Sequence, residues 1–245
     1  MTRAQAFVGA AARWAAERPA EPAIIDDHAV WTWRQLAGWV ASIADRIQAG
    51  PGPDDGAPRR IALEAPMTAA GIAALHGVAL AGVPAVLVPP RWSAAEVDAL
   101  LAWVRPDQLL RAGGADDDAG PTAWDVRSLS GGPGGVKAVP RPPGELIVPT
   151  SGTTARPRLA RLPLDRIDAS VAAWGAVLPP ATGWLLSLGL AHVAGIGIVA
   201  RAAADGVPVV VPRPGEELWD ALRRPGVSHA SLVATQLARV LDASG

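Results

Sequence analysis

The stretch Leu146-Ile-Val-Pro-Thr-Ser-Gly-Thr-Thr-Ala-Arg-Pro-Arg158 joins a short apolar run to a loop with four hydroxyl side chains in five residues. The apolar run Leu146–Val148 predicts a buried strand. In the loop that follows, hydroxyls can donate hydrogen bonds to an anion, Gly152 lets backbone N–H groups turn toward it, and Arg156 and Arg158 can offset its charge. On chemistry alone the loop fits phosphate binding, although a solvated turn is the commoner reason for such a run.

Outward from this stretch, apolar runs of strand length alternate with segments of helical periodicity on both sides. Two helix starts carry capping boxes, Thr32 with Gln35 and Ser93 with Glu96. This alternation predicts an α/β fold of layered sheets flanked by helices, with mainly parallel strands. The interpretation divides the chain into a first α/β subdomain, 1–162, which includes the loop, and a second, incomplete one, 163–245.

The individual elements are predicted from periodicity and from turn residues. Between residues 112 and 144 the alternation of strands and helices is interrupted, and only an edge strand at Ala123–Val126 is expected there. The predicted helices are Arg3–Glu17, Thr32–Gln48, Met67–Ala81, Ser93–Val104, Asp165–Val177, Ala194–Ala204, Glu216–Arg223 and Ala234–Leu241. The predicted strands are Ala23–Asp26, Val30–Trp31, Ile61–Glu64, Pro84–Val88, Leu146–Val148, Trp184–Leu188, Val207–Val211 and Ser228–Ser231.

The composition limits the classes of function. The chain has 245 residues, of which half are hydrophobic, and a formal net charge of -1. This balance gives no reason to expect a nucleic acid or an anionic membrane surface as a partner. With no cysteine, the chain has no disulfide and no thiolate metal site. The uncharged residues 65–90 fit a buried helix and strand better than a membrane span, so a cytoplasmic protein without membrane contact is expected.

The loop resembles the phosphate-loop signature of the adenylate-forming enzymes, which include acyl-CoA synthetases, peptide-synthetase adenylation domains and luciferases. The resemblance is carried by Thr150-Ser-Gly-Thr-Thr154 together with Pro157-Arg158. It implies that the β- and γ-phosphates of ATP are held by Thr150, Ser151, Gly152, Thr153, Thr154 and Arg158. Two positions depart from the signature, because Ala155 replaces the usual glycine and Arg158 replaces the commoner lysine.

Other segments extend the resemblance over nearly the whole chain. Ser187-Leu-Gly-Leu-Ala-His-Val-Ala-Gly195 resembles the second core motif of the family, which implies that His192 and Gly195 line the acid pocket. Without the resemblance, His192 would be interpreted as a core histidine. Ser228–Leu237 resembles the strand and helix before the adenine-binding part. Within the family, His192-Val-Ala-Gly195 and Val233–Leu237 are most similar to the o-succinylbenzoate–CoA ligases.

The resemblance implies an ATP-dependent acid–CoA ligase that uses Mg²⁺, CoA and a small carboxylic acid. The adenine-binding, magnesium-binding and ribose-binding motifs of the family, and its catalytic lysine, have no counterpart here, and Lys137, the single lysine, does not replace the last of these. The chain is therefore interpreted as an N-terminal portion with a missing C-terminal half, and no catalytic residue is assigned. Two other interpretations stay open: a non-catalytic remnant that binds a nucleotide or an acid, and one half of a split enzyme.

Overall fold

The computed structural model describes residues 8–50, 59–112, 124–129, 144–150 and 158–244. The helices are α1 Ala10–Glu17, α2 Trp33–Ala49, α3 Ala69–Ala81, α4 Ala94–Val104, α5 Leu164–Gly175, α6 Val193–Asp205, α7 Leu218–Leu222 and α8 Ala234–Ser244. The strands are β1 Pro22–Ile25, β2 Val30–Thr32, β3 Ile61–Glu64, β4 Ala85–Val88, β5 Gln108–Ala112, β6 Trp124–Ser128, β7 Glu145–Thr150, β8 Arg158–Pro163, β9 Trp184–Leu185, β10 Val209–Val210 and β11 His229–Ala230. The predicted α/β class, with layered sheets flanked by helices, is confirmed.

The middle of the chain forms a six-stranded sheet in the order β6-β5-β3-β4-β7-β8. Its four inner strands are parallel, and an antiparallel strand closes each edge. The inner strands are covered on both faces. Leu63 and Leu87 share one core cluster with α3, while Ala62 and Val86 share another with Leu100 and Val104 of α4. Burial on both faces explains why these strands consist of continuous apolar runs.

A second sheet combines the beginning of the chain with its end. Its order is β11-β9-β10-β1-β2, and Ile24 of β1 pairs in parallel with Val209 of β10. The hairpin of β1 and β2 therefore completes a sheet whose other strands lie beyond residue 183. The predicted boundary at 162/163 falls before the last residue of β8, and the second sheet joins residues from both sides of it. The division into two subdomains stays a prediction.

One large hydrophobic core connects the two sheets. Its buried members include Ile24 and Val209 from the second sheet and Leu63 from the first. Trp14 fixes α1 to this core, because its indole Nε1 donates a hydrogen bond of 2.6 Å to the carbonyl of Ala203 in α6. The guanidinium carbon of Arg18 lies 4.6 Å from the centre of the same ring on the solvent side, an arrangement typical of cation–π contacts.

Local sequence signals set the helix ends. Both capping boxes are confirmed: Thr32 and Gln35 begin α2, and Ser93 and Glu96 begin α4. Gly206 ends α6 with a φ of 69°, a left-handed conformation that glycine adopts without the cost that a Cβ brings. Helix α3 begins at Ala69, two residues later than predicted, because the Thr68 side chain caps it by accepting from the Gly71 amide. In the described part of the chain, no helix combines the length and the apolar character needed to cross a membrane.

Three predicted strands, including Ser228–Ser231, are longer than the strands that form, and two strands, β5 and β8, were not predicted. Trp184–Leu188 and Val207–Val211 were predicted as strands of five residues, yet only Trp184–Leu185 and Val209–Val210 pair. Strand β8 was missed, since the sequence from Thr150 to Arg158 was predicted as one loop that leads to a helix at Asp165. Its outward arginines, Arg158 and Arg161, and its terminal Pro163 are typical of an edge strand, which hydrophobic periodicity detects poorly.

Candidate active site

The predicted phosphate loop connects the two strands of a hairpin. Strand β7 is the last parallel strand of the six-stranded sheet, and β8 runs back along it with Thr150 opposite Arg158. The Thr150 hydroxyl donates a hydrogen bond of 3.1 Å to the carbonyl oxygen of Arg158. Both residues are exposed at the carboxyl end of β7. The predicted ligands Ser151, Gly152, Thr153 and Thr154 lie outside the described residues.

An ion pair at the other end of this hairpin fixes the two strands to each other. Arg161 Nε donates to Glu145 Oε2 at 2.8 Å, and Nη2 donates to Oε1 at 2.5 Å. The Glu145 carboxylate is buried, with 7% of its side chain exposed, whereas 36% of the Arg161 side chain is exposed. Hydrogen bonding to Glu145 raises the pKa of Arg161 above its ordinary value. Two hydrogen bonds between the same pair of side chains restrict their relative rotation as well as their distance. The ion pair therefore stabilises the pairing of β7 with β8 that brings Thr150 opposite Arg158.

A cleft lies at the same edge of the sheet, where the chain leaves β3 and β4 in opposite directions. The connection after β3 leads to α3 on one face, and the connection after β4 leads to α4 on the other. In open parallel sheets, ligands bind in the crevice that this change of direction creates. The cleft has a volume of about 420 Å³, and Pro66, Pro89 and Trp92 contribute to its walls. Glu64 and Arg111, neighbours on the adjacent strands β3 and β5, also line the cleft and form an ion pair, with Arg111 Nε 2.8 Å from Glu64 Oε2.

The second motif forms the turn between β9 and α6. His192 is exposed and occupies the N-cap position of α6, where its side chain makes no capping hydrogen bond. The interpretation of His192 as a core histidine is therefore wrong. Gly195 is buried, and a Cβ built there would lie 2.1 Å from the carbonyl oxygen of Gly189. Glycine at 195 therefore lets α6 pack closely on the preceding turn, which positions the histidine at the helix start.

The two motifs lie toward the same end of the molecule. Leu190, in the turn after β9, packs against the first turn of α3, where a Cβ on Gly71 would meet Leu190 Cδ1 at 2.9 Å. That first turn follows β3, so the carboxyl edge of the six-stranded sheet faces the carboxyl end of β9. The hairpin of β7 and β8 ends its parallel strand at this same edge. Thr150 and Arg158, at the end of β7, and the His192 turn thus lie toward the same end of the described fold.

Sequence reasoning missed a cationic cluster behind the second motif. The Arg201 guanidinium carbon lies 4.6 Å from the centre of the Trp184 ring, and the imidazole of His229 lies 4.9 Å from that ring. Arg201 Nη2 donates to the Ser231 hydroxyl at 2.7 Å, while its Nε has no hydrogen-bond acceptor within the described ranges. Burial lowers the pKa of Arg201, and the charge of Asp205 acts in the opposite direction. A cation in the otherwise apolar run Val193–Ala204 is the signal that could have identified it.

The described residues do not assemble a metal site. No group of three or more histidine, aspartate or glutamate side chains lies together in the ranges that the structure describes. A hard cation such as Mg²⁺ needs oxygen ligands, which carboxylates and bound phosphates supply.

Two layered sheets, with a hydroxyl-rich loop at the end of a parallel strand, are the features of an adenylate-forming enzyme. A sequence profile of the AMP-binding enzyme family matches residues 11–245, and the chain belongs to this family. Among curated proteins it is similar to the probable 2-succinylbenzoate–CoA ligase of Mycobacterium tuberculosis, with 37% identity over 103 residues that cover 39% of this chain and 27% of that protein. It is also similar to the 2-succinylbenzoate–CoA ligase of Salmonella typhimurium, with 29% identity over 233 residues that cover 93% of this chain and 49% of that protein.

A solved structure confirms the fold. An arginine-to-lysine variant of E. coli MenE with bound OSB-AMS superimposes with a TM-score of 0.73 and 24% identity. The superposition covers 100% of this chain and 53% of the MenE chain. The chain thus spans about half the length, or less, of the relatives that it matches.

Proposed function

We propose that this chain is the N-terminal part of an ATP-dependent acid–CoA ligase. The observation that supports the proposal most directly is the hairpin of β7 and β8, which presents Thr150 and Arg158 at the carboxyl edge of a parallel sheet. Anions bind at this edge in open α/β sheets. The phosphate-binding set is proposed to be Thr150, Ser151, Gly152, Thr153, Thr154 and Arg158.

The proposed reaction activates a carboxylic acid in two steps. A carboxylate oxygen attacks the α-phosphorus of ATP, and the bond to the bridging oxygen breaks, which yields acyl-adenylate and pyrophosphate. The CoA sulfur then attacks the acyl carbon, its proton is lost, and AMP leaves. In the first step negative charge grows on the departing pyrophosphate. We propose that Arg158 and the donors of the loop offset that charge.

The acid is proposed to bind beside the second motif, where His192 and Gly195 lie. The names of the relatives suggest 2-succinylbenzoate, a dicarboxylate, as the acid. Arg201 is a second candidate contact, because a partly buried guanidinium whose Nε has no acceptor in the described chain attracts a carboxylate. Mg²⁺ and CoA belong to the proposal through the family reaction only.

A second candidate function is one half of an enzyme whose remaining motifs are supplied elsewhere, and a non-catalytic binding remnant is the third. The coverage of about half of the Salmonella and E. coli proteins fits both the first candidate and this second one. In all three, the adenine, ribose and magnesium contacts are proposed to come from the part of the longer relatives that this chain does not match.

Exchange of labelled pyrophosphate into ATP tests the proposal. We expect the isolated chain to bind ATP weakly, by calorimetry, and to show no exchange that depends on 2-succinylbenzoate. Arg158→Ala should weaken ATP binding further, because one cation near the phosphates is lost, whereas Arg34→Ala, on the exposed side of α2, should not. ATP binding that is identical in both variants would contradict the assigned site. Exchange by the isolated chain at an ordinary enzymatic rate would contradict its incompleteness.

A further inference from the structure

The guanidinium of Arg201 is held in one position by three neighbours. Its carbon atom lies 4.6 Å from the centre of the Trp184 ring, and Nη2 donates to the Ser231 hydroxyl at 2.7 Å. A Cβ built on Gly197 would lie 3.1 Å from Nη1. The guanidinium therefore contacts an indole, a hydroxyl and the bare backbone of the preceding helical turn.

These contacts direct the charge of Arg201 toward the turn where the acid is proposed to bind. Gly197 precedes Arg201 by one helical turn, so the side chain runs back along α6 toward the helix start. At a rise of about 1.5 Å per residue, Gly197 lies roughly 8 Å along the helix axis from His192. Ser231 directly follows β11, at the carboxyl end of the parallel strands of the second sheet. Arg201 is half-buried, so part of its surface remains open to a ligand.

Trp184 gives this cation a fixed aromatic surface. The residue is only 3% exposed, and its strand β9 lies between β11 and β10, with Trp184 opposite both His229 and Val209. The imidazole of His229 also contacts the indole, at 4.9 Å between ring centres. An indole enclosed in this way cannot turn aside, and among aromatic side chains indole attracts a cation most strongly. Trp184 therefore restricts the rotation of the Arg201 side chain.

A guanidinium that is already ordered binds a carboxylate at a lower entropic cost. An arginine side chain has several rotatable bonds, and their ordering on binding opposes affinity. In the proposed reaction one carboxylate of 2-succinylbenzoate attacks ATP, so the other remains for recognition. We propose that Trp184 is a positioning residue, which holds the Arg201 guanidinium ready for this second carboxylate and thereby sets a preference for a dicarboxylate over a monocarboxylate. This inference rests on the proposed function.

Binding of three acids to the full chain, measured by calorimetry, tests the inference. The acids are 2-succinylbenzoate and two monoacids that each lack one of its carboxylates, benzoylpropionate and 2-butyrylbenzoate. The preference is the Kd of the weaker monoacid divided by the Kd of 2-succinylbenzoate. Trp184→Leu should lower this preference at least about threefold, because the cation–π contact is lost, whereas Trp184→Phe should keep it within about twofold of the wild-type value.

A second tryptophan provides the matched control. Trp39 is half-buried and packs against the Trp31 ring, with 5.1 Å between ring centres. Trp39→Leu removes an indole as Trp184→Leu does, but on α2, and should leave the preference unchanged.

Two further variants separate positioning from a general effect on the structure. Gly197→Ala leaves the indole in place but crowds Nη1, so it should lower the preference, while alanine inside a helix should maintain or raise the urea midpoint. Arg201→Met should remove the preference, and Trp184→Leu added to it should weaken binding of 2-succinylbenzoate no further. If Trp184→Leu does not fold, Gly197→Ala decides. An unchanged preference in either variant, additive losses for Trp184→Leu and Arg201→Met, or an equal loss in Trp39→Leu would overturn the inference.

The outcomes also separate this inference from the proposed function, since acid binding is measured without nucleotide. A wild-type chain that binds the three acids equally, or binds none of them, would overturn the inference, while ATP binding tests the ligase independently. A preference that depends on Trp184, in a chain that binds no ATP, would support the inference and contradict the ligase.

Discussion

Two arginines of this protein carry their charge in different surroundings. Arg161 lies against a buried carboxylate, Glu145, with two short hydrogen bonds. Arg201 lies on an indole and bonds a hydroxyl, while burial lowers its pKa. Removal of one partner from a buried ion pair leaves the other charge without compensation, whereas replacement of a cation that burial disfavours also removes a desolvation cost.

The same substitution should therefore give different results at the two sites. Arg161→Met should lower the free energy of unfolding by about 2 kcal/mol, less than for a fully buried pair because Arg161 is partly exposed. Arg201→Met should change it by less than about 1 kcal/mol. Urea denaturation of both variants measures the difference. Equal losses would contradict this account, and a neutral result at Arg201 would mean that this arginine is kept for a purpose other than stability.

A single carboxylate at the start of α4 gives a prediction for pH. The pKa of Glu96 is lowered from its ordinary 4.5, first by the hydrogen bond from the Ser93 amide and then by the one from the Ser93 hydroxyl. A lowered pKa means that the folded state favours the ionised form. The stability that this provides is present above pH 4.5 and is lost as the pH falls through the lowered pKa.

The urea midpoint of the wild-type chain should thus fall more steeply than that of Glu96→Gln as the pH decreases below 4.5. Ser93→Ala removes the hydroxyl donor but keeps the backbone amide, so it should lie between the two. Identical pH profiles for the wild-type chain and Glu96→Gln would exclude a role for this carboxylate in stability.

At the scale of elements, two glycines in the left-handed conformation allow a matched comparison. Gly206 ends α6 with a φ of 69°, and a Cβ there would lie 2.6 Å from Cζ2 of the core residue Trp14. Gly215 has a φ of 72°, and nothing lies within 4 Å of its Cβ position. A side chain at either position would therefore strain the backbone, but only at Gly206 would it also clash with a packed residue.

Gly215→Ala should cost about 1 kcal/mol of unfolding free energy from backbone strain alone. Gly206→Ala should cost about 2–4 kcal/mol, because overpacking against Trp14 is added. Chemical denaturation of the two variants under the same conditions compares them. Equal costs would mean that Trp14 moves away at no expense, which its hydrogen bond to Ala203 argues against.

The elements that could be predicted from the sequence are those specified by neighbouring residues. The starts of α2 and α4 depend on side chains three residues apart, so a capping box identifies them. The pairing of β1 with β10 depends on residues far apart in the chain, and no local pattern encodes it. The partners of Arg201 could not be predicted for the same reason, since Trp184, Ser231 and His229 come together with it only in the folded chain.

At the scale of the whole molecule, the two sheets share one core. Buried residues from α1, α2, α3, α5 and α6 belong to a single cluster with strands of both sheets. Single cores of this kind unfold cooperatively. We expect calorimetry, far-ultraviolet circular dichroism and tryptophan fluorescence to give one transition with a common midpoint. Two separate transitions would instead support the division at 162/163 that the sequence predicted.

The hairpin of β1 and β2 has a consequence for synthesis on the ribosome. Val209, the partner of Ile24 in the sheet, is translated 185 residues later. At about 5–20 residues per second, Ile24 therefore lacks this partner for about 10–40 s. During that interval the nascent hairpin has one strand edge without its native neighbour. A chaperone that shields emerging segments would act on this hairpin, and slower translation would lengthen the interval in which it is needed.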